Sequence, residues 1–315
     1  MELLEGRIYV LQREETVWPA SANLLLLKDD DGAVLVDAGC GRKEDYRVLL
    51  DFLSRHGLSI VDVHTVVLTH VHPDHAGAVA FILRETRPRI FLHPVECPLG
   101  NDPSLLNDTF DIDLPYRCGT AGAKAGGEKA DILEYFRSLC PITRVEATDL
   151  LPHDTEVELA GLRFRVILTP GHAPGLVSLF QPEKGILFST DAVGDVVAWY
   201  SPSSGGVTGF LEGLDRLSRL PARTLVPSHG KVSGDPHAKI EAVRKKLLRR
   251  EKRIMEEVSR GPLPFPELVS RIFRNPLFSF FPGPQITWSH LDKLEAEGKV
   301  RRRAEDVPVV EAKTP

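Results

Sequence analysis

LTHVHPDHAG (residues 68–77) places His70, His72, Asp74 and His75 within six residues. The segment leading into it, VHTVVLTH (63–70), is β-branched and reads as a strand ending in the first histidine. His70 and His72 are two apart, so in extended backbone their side chains leave the same face. Pro73 stops the strand, and Asp74 and His75 open a helix expected over residues 75–85. Four metal-capable side chains therefore converge on one strand-to-helix turn. Imidazole and carboxylate are groups that zinc accepts. Burying them without a cation would cost on the order of several kcal/mol. His56, His64, His93, His153, His237 and His290 stand apart from any such cluster and are read as surface or satisfied core residues.

Outward from this turn the chain alternates short apolar runs with helical patterns. RIYVLQ (7–12), ANLLLLKD (22–29), AVLVDAG (33–39) and RIFLHP (89–94) read as strands, with a hairpin turn at DDG. Residues 42–56 carry apolar positions at helical spacing and stop at Gly57. The strand rhythm breaks over 95–151, where a Gly-rich piece (118–129) precedes a helix candidate, ADILEYFRSL (130–139). It is read as an insert, either a functional lid or a helical cover on a sheet edge. Strands resume at DTEVELA (154–160), LRFRVILT (162–169), GILFSTD (185–191) and TLVPSH (224–229), with a helix over 207–220. Such a chain is of α/β type, with two packed sheets covered outside by helices. Beyond residue 235, a basic helix (236–258), a second helix (264–274) and a third (from about 284, closed by Gly298) precede a basic hairpin. That is the layout of a winged helix.

Composition is that of a soluble globular protein, 42% hydrophobic and 26% charged. No run reaches the ~20 apolar residues of a membrane helix. The N-terminus lacks an apolar signal region, so the expected location is cytoplasmic. Cys40, Cys97, Cys118 and Cys140 show no C-x-x-C spacing and are expected to be reduced thiols. Net charge is −5, yet residues 236–303 hold 16 Lys and Arg against 8 Asp and Glu. That excess could attract a polyanion or form a solvated face balanced by the acidic remainder.

The histidine string resembles the metallo-β-lactamase superfamily, and later segments extend the likeness. TPGHAPG supplies His172, FSTDAV supplies Asp191, VPSHG supplies His229, and VDAG supplies Asp37. The resemblance spans roughly residues 7–232. It implies a four-layer αβ/βα sandwich over residues 1–232, with the insert at about 95–151, followed by a small winged-helix domain over 236–315. It also implies two divalent metal ions, zinc by default with iron or manganese as alternatives. His70, His72 and His172 would hold one ion, Asp74, His75 and His229 the other, and Asp191 would bridge them. Asp74 and Asp37 are the expected catalytic residues, Asp74 orienting a metal-bound hydroxide and Asp37 supporting a ligand from behind. A mononuclear dioxygenase of this fold would not need Asp74, His75 and His229 together, and a flavo-diiron relative would carry Glu at position 72.

The implied function is a metal-dependent hydrolase of a small-molecule ester or thioester, similar to glyoxalase II. The alternative is a single-stranded RNA endoribonuclease, like members of the β-lactamase-like protein group that carry a C-terminal winged helix; LDKLEAEGKVRR (291–302) resembles that group. A nucleic-acid-binding module with a degenerate metal domain is disfavoured by the intact ligand set. The sequence leaves the oligomeric state open. Phe278, Phe280, Phe281 and Trp288 are expected in the winged-helix core rather than as stacking platforms for bases.

Overall fold

A computed structural model describes residues 1–14, 20–120, 134, 138–303 and 307–313. Its architecture follows from strand β3 (Leu24–Asp29), whose four leading leucines are all buried. Neighbouring strand side chains point to opposite faces, so this strand is covered on both sides. Leu25 and Leu27 join a core between two sheets, while Leu24 and Leu26 pack against helices on the outer face.

The first sheet runs in chain order: β1 (Glu2–Leu4), β2 (Ile8–Leu11), β3, β4 (Gly32–Val36), β5 (Val63–Val67), β6 (Arg89–Leu92) and β7 (Asp149–Leu150). It is antiparallel up to β4 and parallel beyond. The second comprises β8 (Glu156–Leu159), β9 (Leu162–Leu168), β10 (Val177–Gln181), β11 (Ile186–Thr190) and β12 (Thr224–Pro227), in the order β12-β11-β10-β9-β8. Helices α1 (Lys43–Arg55), α2 (Pro73–Ala76) and α3 (Val79–Glu85) lie on the side of the first sheet. Short helices α4 (Cys97–Asn101), α5 (Leu106–Thr109) and α6 (Leu114–Arg117) follow. Helix α7 (Gly206–Ser218) and the first half of α8 (Pro236–Val258) cover the outer face of the second sheet through Phe210, Leu214, Val243 and Leu247. The result is the expected αβ/βα sandwich.

Three details of this part depart from expectation. Strand β10, VSLFQ, was not anticipated, because buried Ser178 and Gln181 interrupt its apolar pattern. The helix expected over 75–85 is two helices. The Ala78 amide donates to Gly39 O, and Asp74 O accepts from the Ala22 amide, so tertiary bonds replace the intrahelical 74–78 bond. Cys40 and Cys140 are joined in a disulfide with Cα atoms 5.4 Å apart, against the expectation of four reduced thiols. The fold brings the loop after β4 beside the end of the insert, a juxtaposition that a separation of 100 residues hides. Within the insert, Leu106 and Phe110 enter the outer core of the first sheet; the Gly-rich piece and the helix candidate at 130–139 lie largely outside the described residues.

The C-terminal part adds α9 (Phe265–Ile272), α10 (Gly283–Ala296) and a sheet ordered β13 (Leu263–Pro264), β15 (Val309–Ala312), β14 (Val300–Arg303). Ile254, Val258, Phe265, Leu268, Leu291 and Val310 form its core. Trp288 packs there, as expected. Phe281 does not: it packs on Trp199 at 5.1 Å and Phe110 at 6.4 Å, and Phe278 is 40% exposed.

Glu251 of α8 anchors α10. Its Oε1 accepts from Lys293 Nζ at 2.9 Å, and its Oε2 lies 3.5 Å from His290 Nδ1. Burial alone would raise the carboxyl pKa, but the imidazole and ammonium outweigh it and hold it at about 2. A lowered carboxylate pKa stabilises the fold above the ordinary value, and that contribution fades as pH falls toward the folded one. Glu251→Gln should cost about 1–3 kcal/mol at neutral pH. The gap in Tm to the parent should narrow between pH 4.5 and about 2, measured by melts across that range.

Candidate metal centre

All seven expected ligands sit at one end of the two sheets, each following a strand. His70, His72, Asp74 and His75 follow β5, His172 follows β9, Asp191 follows β11, and His229 follows β12. Six of the seven are buried, and the His229 side chain is 17% exposed, so the cluster opens on that side.

Candidate ligand atoms within 4.8 Å of one another form three groups: His70, His72 and His172; His70, His75 and Asp191; Asp74, His75 and His229. His70 and His75 are shared, so the groups interlock. Asp191 Oδ2 lies 2.9 Å from His75 Nε2, 3.4 Å from His172 Nε2 and 3.5 Å from His70 Nε2. Its Oδ1 lies 3.6 Å from His229 Nε2, and Asp74 Oδ2 is 3.1 Å from the same nitrogen. One carboxylate thus faces four imidazoles, as a bridge would.

The donor set fits a cation on two further counts. The His70 Nε2 atom is buried without a hydrogen-bond partner, and His72 Nδ1 and His172 Nε2 face each other at 2.8 Å, as two ligands of one ion would. The carboxylates of Asp37, Asp74 and Asp191 are buried together, and among the described residues no Lys or Arg pairs with them. Buried, unneutralised carboxylates are costly unless a cation joins them. Burial, reinforced by neighbouring imidazoles, drives the His70 and His72 pKa well below the ordinary range, which leaves them neutral. At His75 burial acts the same way, but Asp37, Asp191 and Asp74 outweigh it and push the pKa well up.

Residues behind the cluster set its orientation. Asp37, at a left-handed φ of 62°, accepts from the Thr69 amide at 2.9 Å and faces His75 Nδ1 from 2.8 Å with Oδ2. A carboxylate only accepts, so Nδ1 carries a proton, which leaves Nε2, 2.9 Å from Asp191 Oδ2, as the nitrogen that would give up its proton to ligate a cation. The Trp199 carbonyl does the same for His172, accepting from Nδ1 at 2.7 Å. The Trp199 ring lies nearly parallel to His72, with centroids 5.5 Å apart.

Three of these supports escaped the sequence reading: Trp199, Asn23 and Glu96. The Asn23 side chain donates to Pro227 O and Gly230 O and so fixes the turn carrying His229. Glu96, fully buried, accepts from the Val71 amide at 3.1 Å and the Gly175 amide at 2.7 Å, tying the His70–His72 loop to the His172 loop. Burial raises its pKa to about 7 against those two bonds. The only cue was a glutamate in HPVECP, directly after an apolar strand. Glu96→Ala would orphan two buried amides at about 1–3 kcal/mol each. Calorimetry should show a lower Tm, and zinc titration should show affinity weakened about 10–100-fold.

Residues 17–229 match the metallo-beta-lactamase superfamily. The chain is 26% identical over 290 residues to the beta-lactamase-like protein 2 homolog of Drosophila melanogaster, covering 89% of this chain and 84% of that protein. It is 27% identical over 227 residues to the acyl-coenzyme A thioesterase MBLAC2 of Gallus gallus, covering 68% of this chain and 74% of that one. Among solved structures, a metallo-beta-lactamase family protein from Thermus thermophilus superposes with a TM-score of 0.80 at 27% identity, covering 99% of this chain and 100% of that one.

Proposed function

The chain belongs to the metallo-β-lactamase superfamily, and from that premise we propose that it is a dinuclear metal-dependent hydrolase of thioester or related ester bonds. The observation that carries this reading is the interlocking of the three ligand groups through His70 and His75, with Asp191 in the group between them. His70, His72 and His172 would hold one ion, Asp74, His75 and His229 the second, and Asp191 would bridge. Zinc suits these donors, with iron or manganese as alternatives. When bound, such a pair lowers the pKa of water and polarises a carbonyl.

The chain's own groups do the positioning. Asp37 holds a proton on His75 Nδ1, and the Trp199 carbonyl holds one on His172 Nδ1, so both rings turn Nε2 toward the other ligands, where it would face a cation. Asp74 lies beside His229 on the open side, where its Oδ2 can accept a proton from an incoming water and orient the attack. Hydrolysis forms a carbon–oxygen bond, breaks the carbon–sulfur bond, and delivers a proton to the departing thiolate. A thiolate is a good enough leaving group to need no dedicated acid. MBLAC2, a thioesterase by name, supports this choice of bond.

The C-terminal helices and three-stranded sheet support a winged-helix reading of residues 236–315, although Ile240, Val243 and Leu247 share a core with the second sheet. Much of the basic charge that favoured single-stranded RNA is paired internally: Arg271 with Glu257 and Glu267, Arg302 with Asp292 and Glu295, Arg301 with Glu311. RNA cleavage is therefore the second reading. No helix among the described residues is long and apolar enough to cross a membrane. Hydrolysis of S-lactoylglutathione, of acetyl-coenzyme A and of a single-stranded RNA, each repeated with His72→Ala, tests the reading. Thioester cleavage lost in the variant supports it; cleavage of RNA alone replaces it with the second reading.

A further inference from the structure

Lys246, Arg249, Arg250 and Arg253 follow one another at spacings of three, one and three on α8, which places them on a single helical stripe. All four line one cavity of about 510 Å³. None of them pairs with a carboxylate among the described residues. Lys246 donates to the Asp195 backbone oxygen, Arg250 to the Tyr200 hydroxyl, and Arg253 to the Ile272 and Arg271 carbonyls. Arg249 has no hydrogen bond or ion pair among those residues. The one acid in the lining, Asp195, is already occupied by Lys239 and the Lys231 amide. While most cations of the C-terminal part are neutralised locally, these four leave a concentrated positive field in a concave site.

The rest of the lining is apolar and aromatic, and the Arg250 guanidinium lies over the Phe273 ring at 5.4 Å. Phe273 and Phe278 meet edge to face, with centroids 5.8 Å apart, and Phe278 keeps 40% of its surface exposed. The segment 195–200 joins this cavity to the metal centre. Asp195, Val196 and Val197 line the cavity, while the Asp195 amide donates to His229 O and the Trp199 carbonyl accepts from His172.

We propose that this cavity is a phosphate-binding subsite for a nucleoside-diphosphate-bearing small molecule, with the base against the phenylalanines. The guanidinium stripe suits the phosphoanhydride, since guanidinium forks bind phosphate oxygens in pairs. A molecule held there can extend an acyl thioester arm past segment 195–200 to the metal centre; this last step rests on the hydrolase reading above.

Arg249 is exposed and makes no hydrogen bond or ion pair among the described residues, so Arg249→Glu is the informative variant, with Lys246→Gln/Arg249→Gln as a second. Calorimetric titration with ADP and with inorganic pyrophosphate at low salt should show saturable binding, weakened about tenfold or more in both variants. With acetyl-coenzyme A as substrate, Arg249→Glu should raise KM by a similar factor at unchanged kcat, and leave KM for S-lactoylglutathione unmoved. Absence of saturable ADP and pyrophosphate binding, or equal binding by parent and variants, overturns the proposal. So does binding of a single-stranded RNA that depends on Arg249 in a protein that ignores ADP. If ADP binds as expected while neither thioester is cleaved, the subsite stands and the hydrolase reading falls.

Discussion

Asp191→Ala is expected to lower kcat/KM by about three orders of magnitude or more on any substrate the parent hydrolyses. The residue is buried and its two oxygens lie within 3.6 Å of nitrogens from four histidines, contributed by three different loops. Truncation removes the group proposed to bridge the two ions. It also leaves His70, His75, His172 and His229 to face each other without the carboxylate that balances them. Metal content should fall together with the rate, and metal added in excess should restore little. Asp191→Asn keeps the shape and removes the charge; it should retain the far-ultraviolet circular dichroism spectrum while losing most of the activity. A variant that keeps full activity with Asp191 gone would show that this carboxylate does not bridge.

The second large effect concerns stability. Gly77 closes the ligand string 68–77, and a Cβ there would meet the Gly41 amide nitrogen and stand 2.6 Å from Pro141 O. Both neighbours are backbone, so neither can swing aside. Gly41 is equally confined, with Gly77 O and Pro141 O in the way. Three chain segments therefore touch backbone to backbone directly behind the metal centre: the loop after β4, the end of α2, and the stretch next to Cys140. Gly77→Ala should cost about 3 kcal/mol or more, a fall in Tm of about 5–10 °C for a domain this size. Gly234→Ala, where a Cβ meets nothing within 4 Å and no positive φ is required, should change Tm by under about 2 °C.

The two expectations differ in how visible they were in the sequence. The ligand string was legible because His70, His72, Asp74 and His75 are local, and because His172, Asp191 and His229 each stand in a short strand-end context. The two-sheet core was legible in the two strand-rich halves, each with helices, and the unbroken Leu24–Leu27 run proves to be a strand covered on both faces. What stayed hidden depends on contacts between distant segments. The division of 73–85 into two helices comes from bonds to Gly39 O and the Ala22 amide, which no helical periodicity encodes. Glu96, Asn23 and Trp199 read as ordinary loop or strand-edge residues until folding brings them against the ligand loops. The Cys40–Cys140 bond overrides an inference drawn only from spacing. Phe281 was assigned to the wrong core for the same reason: its neighbours Phe110 and Trp199 lie more than 80 residues away in sequence.

Elemental analysis of the freshly purified protein, before and after exhaustive chelation, bears most directly on the claim that these loops together cage a pair of cations. About two divalent ions per chain are expected, with hydrolysis abolished by the chelator and recovered on adding zinc. A protein that carries no stoichiometric metal, and whose activity and melting temperature are identical in chelated and metal-supplemented samples, would contradict it.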